Sequence, residues 1–420
     1  MVYIISKDNK VLMPCSNVIS RLLLKEGKAK VKKKCPFTIK LTYDTTNYIQ
    51  DLYLGLDTGS AHIGSAVVNE NNDVFYMSQI EIRNDIADKM TQRSKYRRSR
   101  RNRKTRYRKA RWLNRRNSIK KDRFSPTMTS KNNSHLKEIK FVKSILPIKK
   151  LIIETATFDV HALKNPKVIY NKWLYQKGLN YGYENTKAMV LNRDSYTCQY
   201  CKGKSKDSKL EVHHIVYRSN GGSDEADNLI TLCKTCHDKV HTNEINLNKM
   251  GKVKSKLKHA TQMNSIRIQL LRQIEAEETF GYITKTHRQY LELSKEHYND
   301  AIAIACLNNI ENTGQTNLSF KTKDIIFKKC VPYRDYQKTK GGRSEQKIPT
   351  GKIQGFRKFD KVKYLGVEYV IKGRMSTGYA ILMDIFGNKV NLKPIPKFTK
   401  MKRIGARKSW IMCQKTIQSI

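Results

Sequence analysis

Hydrophobic residues in this chain come in short runs that are rich in β-branched and aromatic side chains and end abruptly on polar ones. Val2-Tyr-Ile-Ile-Ser6, Leu52-Tyr-Leu-Gly-Leu56 and Leu151-Ile-Ile-Glu154-Thr155 are too short for helices and predict buried strands. Thr38-Ile-Lys-Leu-Thr-Tyr43 alternates at period two, and Ala61–Val68 with Val74–Ile80 predicts a hairpin-rich sheet beside Leu52–Leu56. Helical patterning covers Asn17 to Gly27, Gln262 to Glu278 and Glu296 to Asn309, whereas residues 125–137, rich in Ser, Asn and Lys, read as a polar loop. Beyond Asn312 the chain turns basic and strand-forming, and Asp360–Gly373, Tyr379–Ile385 and Lys389–Leu392 predict a small barrel. The pattern is that of an α/β protein with several domains. It also places Asp57 and Glu154 at or beside the ends of two buried strands.

Charge changes the picture most. The 420 residues carry 83 Lys and Arg against 36 Asp and Glu, a formal charge of +47. A compact chain with that excess repels itself unless a polyanion neutralises it, so nucleic acid is the expected partner. The densest stretch, Ser94 to Lys121, contains no Pro or Gly and predicts a long exposed helix that becomes ordered on nucleic acid. At 39% hydrophobic and 28% charged residues, with mean hydropathy −0.65, the cores are small and the surface large. No run approaches the roughly 18–20 apolar residues of a membrane span. The first residues lack the features of a secretion signal, and five of the nine cysteines are scattered. The expectation is a soluble protein of a reducing cytoplasm.

The other four cysteines form two CxxC pairs, Cys198/Cys201 and Cys233/Cys236, about thirty residues apart, which suits one tetrahedral structural Zn²⁺. Between and after them lie Glu211-Val-His213-His214-Ile215, Asn228, His237 and His241. A zinc ribbon alone has no use for these, but paired His, a mid-loop Asn and trailing His residues are what an HNH nuclease needs. One His anchors a divalent metal, its neighbour deprotonates water, and Asn orients the base or the metal shell.

A second set of groups lies outside that run. Asp57 and Glu154 end strands, and His297 and Asp300 stand at i and i+3 on a helix; such positions converge in a mixed sheet and hold two divalent cations about 4 Å apart. Oxygen ligands favour Mg²⁺ or Mn²⁺. Here the chain resembles known families. Leu54-Gly-Leu-Asp57-Thr-Gly-Ser60, Ile152-Ile-Glu154-Thr155 and His297-Tyr-Asn-Asp300-Ala301 look like the three split motifs of a RuvC-type nuclease with an RNase H fold. The arginine-rich stretch resembles a bridge helix. With an HNH module between the second and third motifs, the order of parts is similar to that of the IscB family, transposon-encoded RNA-guided endonucleases related to CRISPR type II effectors. Val11-Leu-Met-Pro14 resembles the PLMP signature, with valine in place of its first proline.

The resemblance implies a RuvC-like RNase H fold split by a bridge helix and an inserted ββα-metal HNH module. It implies a PLMP-like domain over residues 1–50, RuvC-like segments over 51–83, 123–169 and 259–312, and a bridge helix over 84–122. The HNH domain with its linkers would span 170–258, and a β-rich region touching guide RNA and the target-adjacent motif 313–420. Asp57, Glu154 and Asp300 would hold Mg²⁺ or Mn²⁺, with His297 as base or assisting the attacking water. His214 would be the general base of the HNH site, with His213 and one or both of His237 and His241 near its metal. HNH subfamilies differ in which of Asn228, His237 and His241 touches the ion, and the sequence leaves these three open. Arg97, Arg98, Arg100, Arg101, Arg103, Arg106, Arg108 and Arg111 would contact the guide (omega) RNA backbone. The implied assembly is one protein with one RNA on double-stranded DNA, the HNH site cutting the guide-paired strand and the RuvC-like site the displaced one. Two other classes stay open: a protein-only junction resolvase or homing-type nuclease, and a binding protein with decayed sites.

Overall fold

The computed structural model describes residues 1–102, 124–178, 180–220, 222–247, 257–313, 317–332 and 352–416. The chain divides into two compact units, one formed by Met1–Ala156 with Gln262–Ile420 and the other by Thr157–Thr261. In chain order the first unit begins with β1 (Tyr3–Ile5), α1 (Asn17–Lys25), β2 (Ala29–Lys34) and β3 (Phe37–Leu41), a small sheet of order β1-β3-β2. Ser16 accepts from the Ile19 amide at 3.3 Å and starts α1. Gly27, at φ +71°, turns the chain out of the helix.

A meander follows: β4 (Leu52–Thr58), β5 (His62–Asn69) and β6 (Asp73–Glu81). Then come α2 (Ile86–Asn102), α3 (Pro126–Lys143) and β7 (Ile148–Thr155), which runs parallel to β4. The second unit contributes α4 (Val160–Lys164), α5 (Lys167–Tyr170), α6 (Thr186–Arg193), β8 (Leu210–His214), β9 (Leu229–Cys233) and α7 (Lys234–His241). The chain continues through α8 (Lys258–Gln273), β10 (Glu277–Phe280), α9 (Gly281–Tyr290) and α10 (His297–Thr313). Last are β11 (Ser319–Phe320), β12 (Asp324–Cys330), β13 (Lys361–Tyr364), β14 (Val367–Arg374), β15 (Ala380–Met383), β16 (Lys389–Val390), β17 (Lys402–Gly405) and β18 (Trp410–Thr416).

The large sheet has the order β10-β7-β4-β5-β6-β12-β18, with β11 pairing β6. Period-two alternation divides it into two faces. Leu52, Leu54 and Leu56 pack with Ile139 and Val142 of α3, whereas Tyr53, Ala66 and Val68 pack with Ala301, Ile302 and Ala305 of α10. Asp57 shares the α10 face with Tyr53 and Gly55. A Cβ on Gly55 would stand 2.2 Å from the Ala301 carbonyl oxygen, and one on Gly64 1.8 Å from that of His297. The helix therefore lies directly on backbone, which brings its first turn down to the end of β4.

Several expectations need correction. Residues 125–137, read as a loop, are most of α3, opened by Ser125 accepting from the Met128 amide at 3.4 Å. Their polarity misled because the buried face is itself polar: Lys131, Asn132, Ser134, His135 and Glu138 are all buried. Lys131 and Asn132 donate to Gln262 and Gln273 at 2.7 and 2.8 Å, so this polar face packs against α8 rather than facing water. The helix expected from Gln262 to Glu278 ends at Gln273, and Glu277–Phe280 pairs as a strand with β7. The arginine-rich helix begins earlier than Ser94, at Ile86, and its course after Asn102 lies outside the described residues. Residues 313–420 contribute strands to two sheets. β13–β17 form a sheet of order β16-β15-β14-β13-β17, but β12 and β18 belong to the large sheet. No helix among the described residues is long and apolar enough to cross a membrane.

Candidate functional site

The first cluster forms where β4, β7 and α10 meet. Asp57 and Glu154 are register partners in the parallel β4–β7 ladder, so their side chains stand side by side on one face. His297 and Asp300, three residues apart in the first turn of α10, face the same point. His297 Nδ1 lies 2.6 Å from Asp57 Oδ2, a contact between residues 240 apart in sequence. Ligand atoms of Asp57, His297 and Asp300 all lie within 4.8 Å of one another.

Three carboxylates so close strain one another. Burial first, then the charge of Asp57, pushes Glu154 up to about 7, although a Thr284 hydrogen bond and His297 pull it down. Asp300 is raised by burial and by Asp57, against the pull of Arg288, whose Nε sits 2.7 Å from its Oδ1. His297 is raised chiefly by its hydrogen bond to Asp57 and stacks on His62, ring centroids 5.2 Å apart. A divalent cation relieves this crowding, and the oxygen-rich donor set suits Mg²⁺ or Mn²⁺. With its carboxyl raised from 4.5 to about 7, Glu154 favours the fold while protonated and loses that contribution as pH rises through about 7. Mn²⁺ or Mg²⁺ should therefore raise the melting temperature more at pH 8 than at pH 5.5, and Glu154→Gln should flatten the difference; an equal shift at both pH values contradicts this assignment.

The second cluster lies in the ββα arrangement of β8, β9 and α7. His213, at the inner end of β8, is buried, and its Nδ1–H donates to the His214 carbonyl at 2.7 Å, which leaves Nε2 as a ligand atom. Burial, then the neighbouring imidazoles, lowers its pKa and keeps the ring neutral, as a metal ligand must be. His237 and His241 are one turn apart on α7. Their rings lie 5.2 and 5.1 Å from that of His213, and ligand atoms of all three lie within 4.8 Å of one another. Imidazole donors suit transition metals better than Mg²⁺, so Mn²⁺ is the one of the two expected ions that both clusters accept readily.

His214 points elsewhere. Its Nε2–H donates to Asp224 Oδ1 at 2.9 Å, and Arg218 Nε holds the same oxygen at 2.6 Å. That bond occupies Nε2, so Nδ1 is the ring nitrogen available to a water. Asn228 is buried away from the histidine trio. Its Oδ1 accepts from the Val216 amide at 2.9 Å, and its Nδ2 donates to the carbonyls of Val216 and Ser223 at 3.0 and 2.8 Å. With both amide protons donated and its oxygen accepting once, it fastens the loop after His214.

The four CxxC thiols come together as expected, with ligand atoms within 4.8 Å of one another. Cys201 and Cys233 Sγ are 3.8 Å apart, about the edge of a tetrahedron with Zn–S near 2.3 Å. Hydrogen bonds from the Ser205 side chain and backbone bring Cys201 down to about 6, whereas burial raises Cys233 and Cys236. The surrounding core is small, chiefly Ile215, Ile230, Leu232, Val240, Ile245 and Leu247, and three of the thiols are part of it. Cys233→Ser or strong chelation should open this module and abolish its chemistry while the Asp57 unit stays folded. Zinc content near one per chain, with protease sensitivity confined to the module on chelation, is the check.

Of the arginines singled out, Arg97 and Arg98 are exposed on α2, and Arg100 and Arg101 lie further along it. Arg103, Arg106, Arg108 and Arg111 lie outside the described residues. Sequence reasoning gave no role to Arg288, His62, Asp224 or Glu211, whose Oε2 is 3.3 Å from His237 Nε2. Glu211 carried a signal, two residues before His213 on the same strand face; Arg288 and Asp224 carried none.

A family model described as RRXRR protein matches residues 2–178, and one described as HNH endonuclease matches residues 198–243. Anaredoxin from a Nostoc species is 40% identical over 67 residues, 16% of this chain and 86% of that protein. The type IV methyl-directed restriction enzyme EcoKMcrA of Escherichia coli is 37% identical over 62 residues, 13% of this chain and 22% of the enzyme. Among solved structures, Streptococcus thermophilus Cas9 with the AGAA PAM aligns with TM-score 0.32 and 12% identity, over 53% of this chain and 32% of Cas9. The same protein with the GGAA PAM aligns with TM-score 0.32 and 13% identity, over 54% and 32%. The chain thus spans about a third of the Cas9 chains it aligns with. An RRXRR region followed by an HNH endonuclease module identifies this chain as an IscB-like HNH nuclease.

Proposed function

We propose that the chain is an RNA-guided DNA endonuclease that cuts both strands of a guide-matched duplex beside a short adjacent motif. The observation that carries this reading is the presence of two separate hydrolytic constellations in one strongly basic chain. One is drawn from β4, β7 and α10; the other belongs to the ββα module. The β6-β5-β4-β7-β10 part of the large sheet, with three antiparallel strands followed by two parallel ones, supports the RuvC-like, RNase H-type reading of the first.

At the first site Asp57, Glu154 and Asp300 hold the ions, and His297, fixed by Asp57, orients or deprotonates the attacking water for the displaced strand. At the second, His213, His237 and His241 hold the ion, and His214, held by Asp224, takes the proton from water for the guide-paired strand. Divalent cations, when bound, supply charge stabilisation for the phosphodiester transition state. Cys198, Cys201, Cys233 and Cys236 hold a structural zinc. Arg97, Arg98 and the arginines after them neutralise the backbone of the omega RNA, and the chain works as a monomer with one RNA in the cytoplasm.

The test is reconstitution with the RNA of its own locus and Mg²⁺ or Mn²⁺. Cutting of matched but not mismatched duplex is expected. Equal cutting of both, independent of RNA, would instead assign the chain to the protein-only nucleases.

A further inference from the structure

We propose that the start of the second unit carries a binding site for unpaired bases of DNA, built on Trp173 and Tyr181. Between Asp159 and Glu184 the sequence has no acidic residue, but it has Lys164, Lys167, Lys172 and Lys177 interleaved with Tyr170, Trp173, Tyr175 and Tyr181. The fold hardly uses these rings. In α4, α5 and the short turn after them, Val168 alone is buried, whereas Tyr170 is 92% exposed and Trp173 and Tyr181 are each 60% exposed. Tyr175 is the exception, since its hydroxyl bonds Asp159 and its ring meets His161 edge-on.

Trp173 and Tyr181 flank a single cation. Lys177 Nζ lies 3.4 Å from the centre of the Trp173 ring and 4.5 Å from that of Tyr181. Two large rings kept in water and bridged by an ammonium group are a stacking platform with its own counter-charge. A base stacking there takes the place of the ammonium group on the rings, and Lys177 is then free to meet the phosphate. Lys164 pairs with Glu225 at 3.2 Å, but Lys167, Lys172 and Lys177 make no salt bridge among the described residues, so cations remain for the backbone of the strand. Charge complementarity on a chain of net charge +47 selects a polyanion, and exposed flat rings select unpaired bases over duplex. This inference rests on the reading above for one point only: guide pairing leaves one DNA strand without a partner, and that strand is the proposed occupant.

The experiment uses full-length Asp57→Ala/His214→Ala protein, which cannot cut, with single-stranded DNA carrying 5-iodo-deoxyuridine. Irradiation should cross-link the probe to Trp173 or Tyr181, located by mass spectrometry. Trp173→Leu should weaken capture at this site about 5- to 100-fold, the range for loss of one base–aromatic stack, and Trp173→Phe should restore most of it. Cross-links confined to other residues, an unchanged Trp173→Leu protein, or preferential capture of the RNA version of the probe at these rings each overturn the proposal. Because no guide and no cutting are involved, the outcome is separable from the functional reading. A chain that cuts matched DNA yet never cross-links here loses this site alone, and one that cross-links but is never guided loses the functional reading alone.

Discussion

Asp57→Ala and His214→Ala should each turn a double-strand cutter into a nickase, and the two variants should nick opposite strands. Asp57 is the residue on which the first cluster closes: it holds His297 at 2.6 Å and stands beside Glu154 in register. Its loss removes a proposed metal ligand and the anchor of His297 together, so cutting of the displaced strand should fall by about 10³-fold or more. His214, held by Asp224 at 2.9 Å, is the proposed base of the other site. Removing a general base costs about 10²- to 10⁴-fold, here confined to the guide-paired strand. Labelling each strand at its 5′ end reads both rates in one reaction. If either substitution alone stopped both cuts, the assignment of one strand to each site would fail.

The second large effect is on stability. Glu138 and Lys328 are both fully buried, with Nζ 2.6 and 2.8 Å from the two carboxylate oxygens. Tyr76, Ser65 and Ser78 add hydroxyls to Glu138 at 2.9, 2.7 and 2.9 Å, so the network ties α3 to β5, β6 and β12. Burial alone would raise the Glu138 carboxyl, but the charge of Lys328 and these hydrogen bonds outweigh it and hold it below the usual range, whereas burial lowers Lys328. Glu138→Ala leaves Lys328 buried without a counter-charge and should cost about 3–5 kcal/mol. Glu138→Leu with Lys328→Met should cost less than either single loss, because no charge is then left alone. Urea unfolding of the singles and the double gives the coupling directly. Additive effects would contradict a shared network.

These two predictions also mark what was and was not legible in the sequence. The metal-type clusters were legible because their residues sit in short segments whose type is set locally. Asp57 and Glu154 end apolar strands, His297 and Asp300 share a helix face, and the CxxC pairs have metal spacing. What joins those segments was not legible. Nothing in Gly55 or Gly64 announces that α10 rests on their backbone, although that contact brings His297 to Asp57. Nothing local marks Glu138 as buried, because its partner lies 190 positions away. The return of β18 to the large sheet depends on pairing with β12 across the whole intervening β13–β17 sheet. Local pattern reports burial on one side of an element; it does not report which distant element supplies the other side.

In the proposed function, RNA chooses the DNA this protein cuts. The most direct measurement is to purify the chain from cells expressing its own locus, extract any bound nucleic acid and sequence it. The account predicts one discrete RNA with a variable end that matches the DNA the complex cuts. Protein that comes away free of RNA, and cuts DNA with Mg²⁺ regardless, would contradict it.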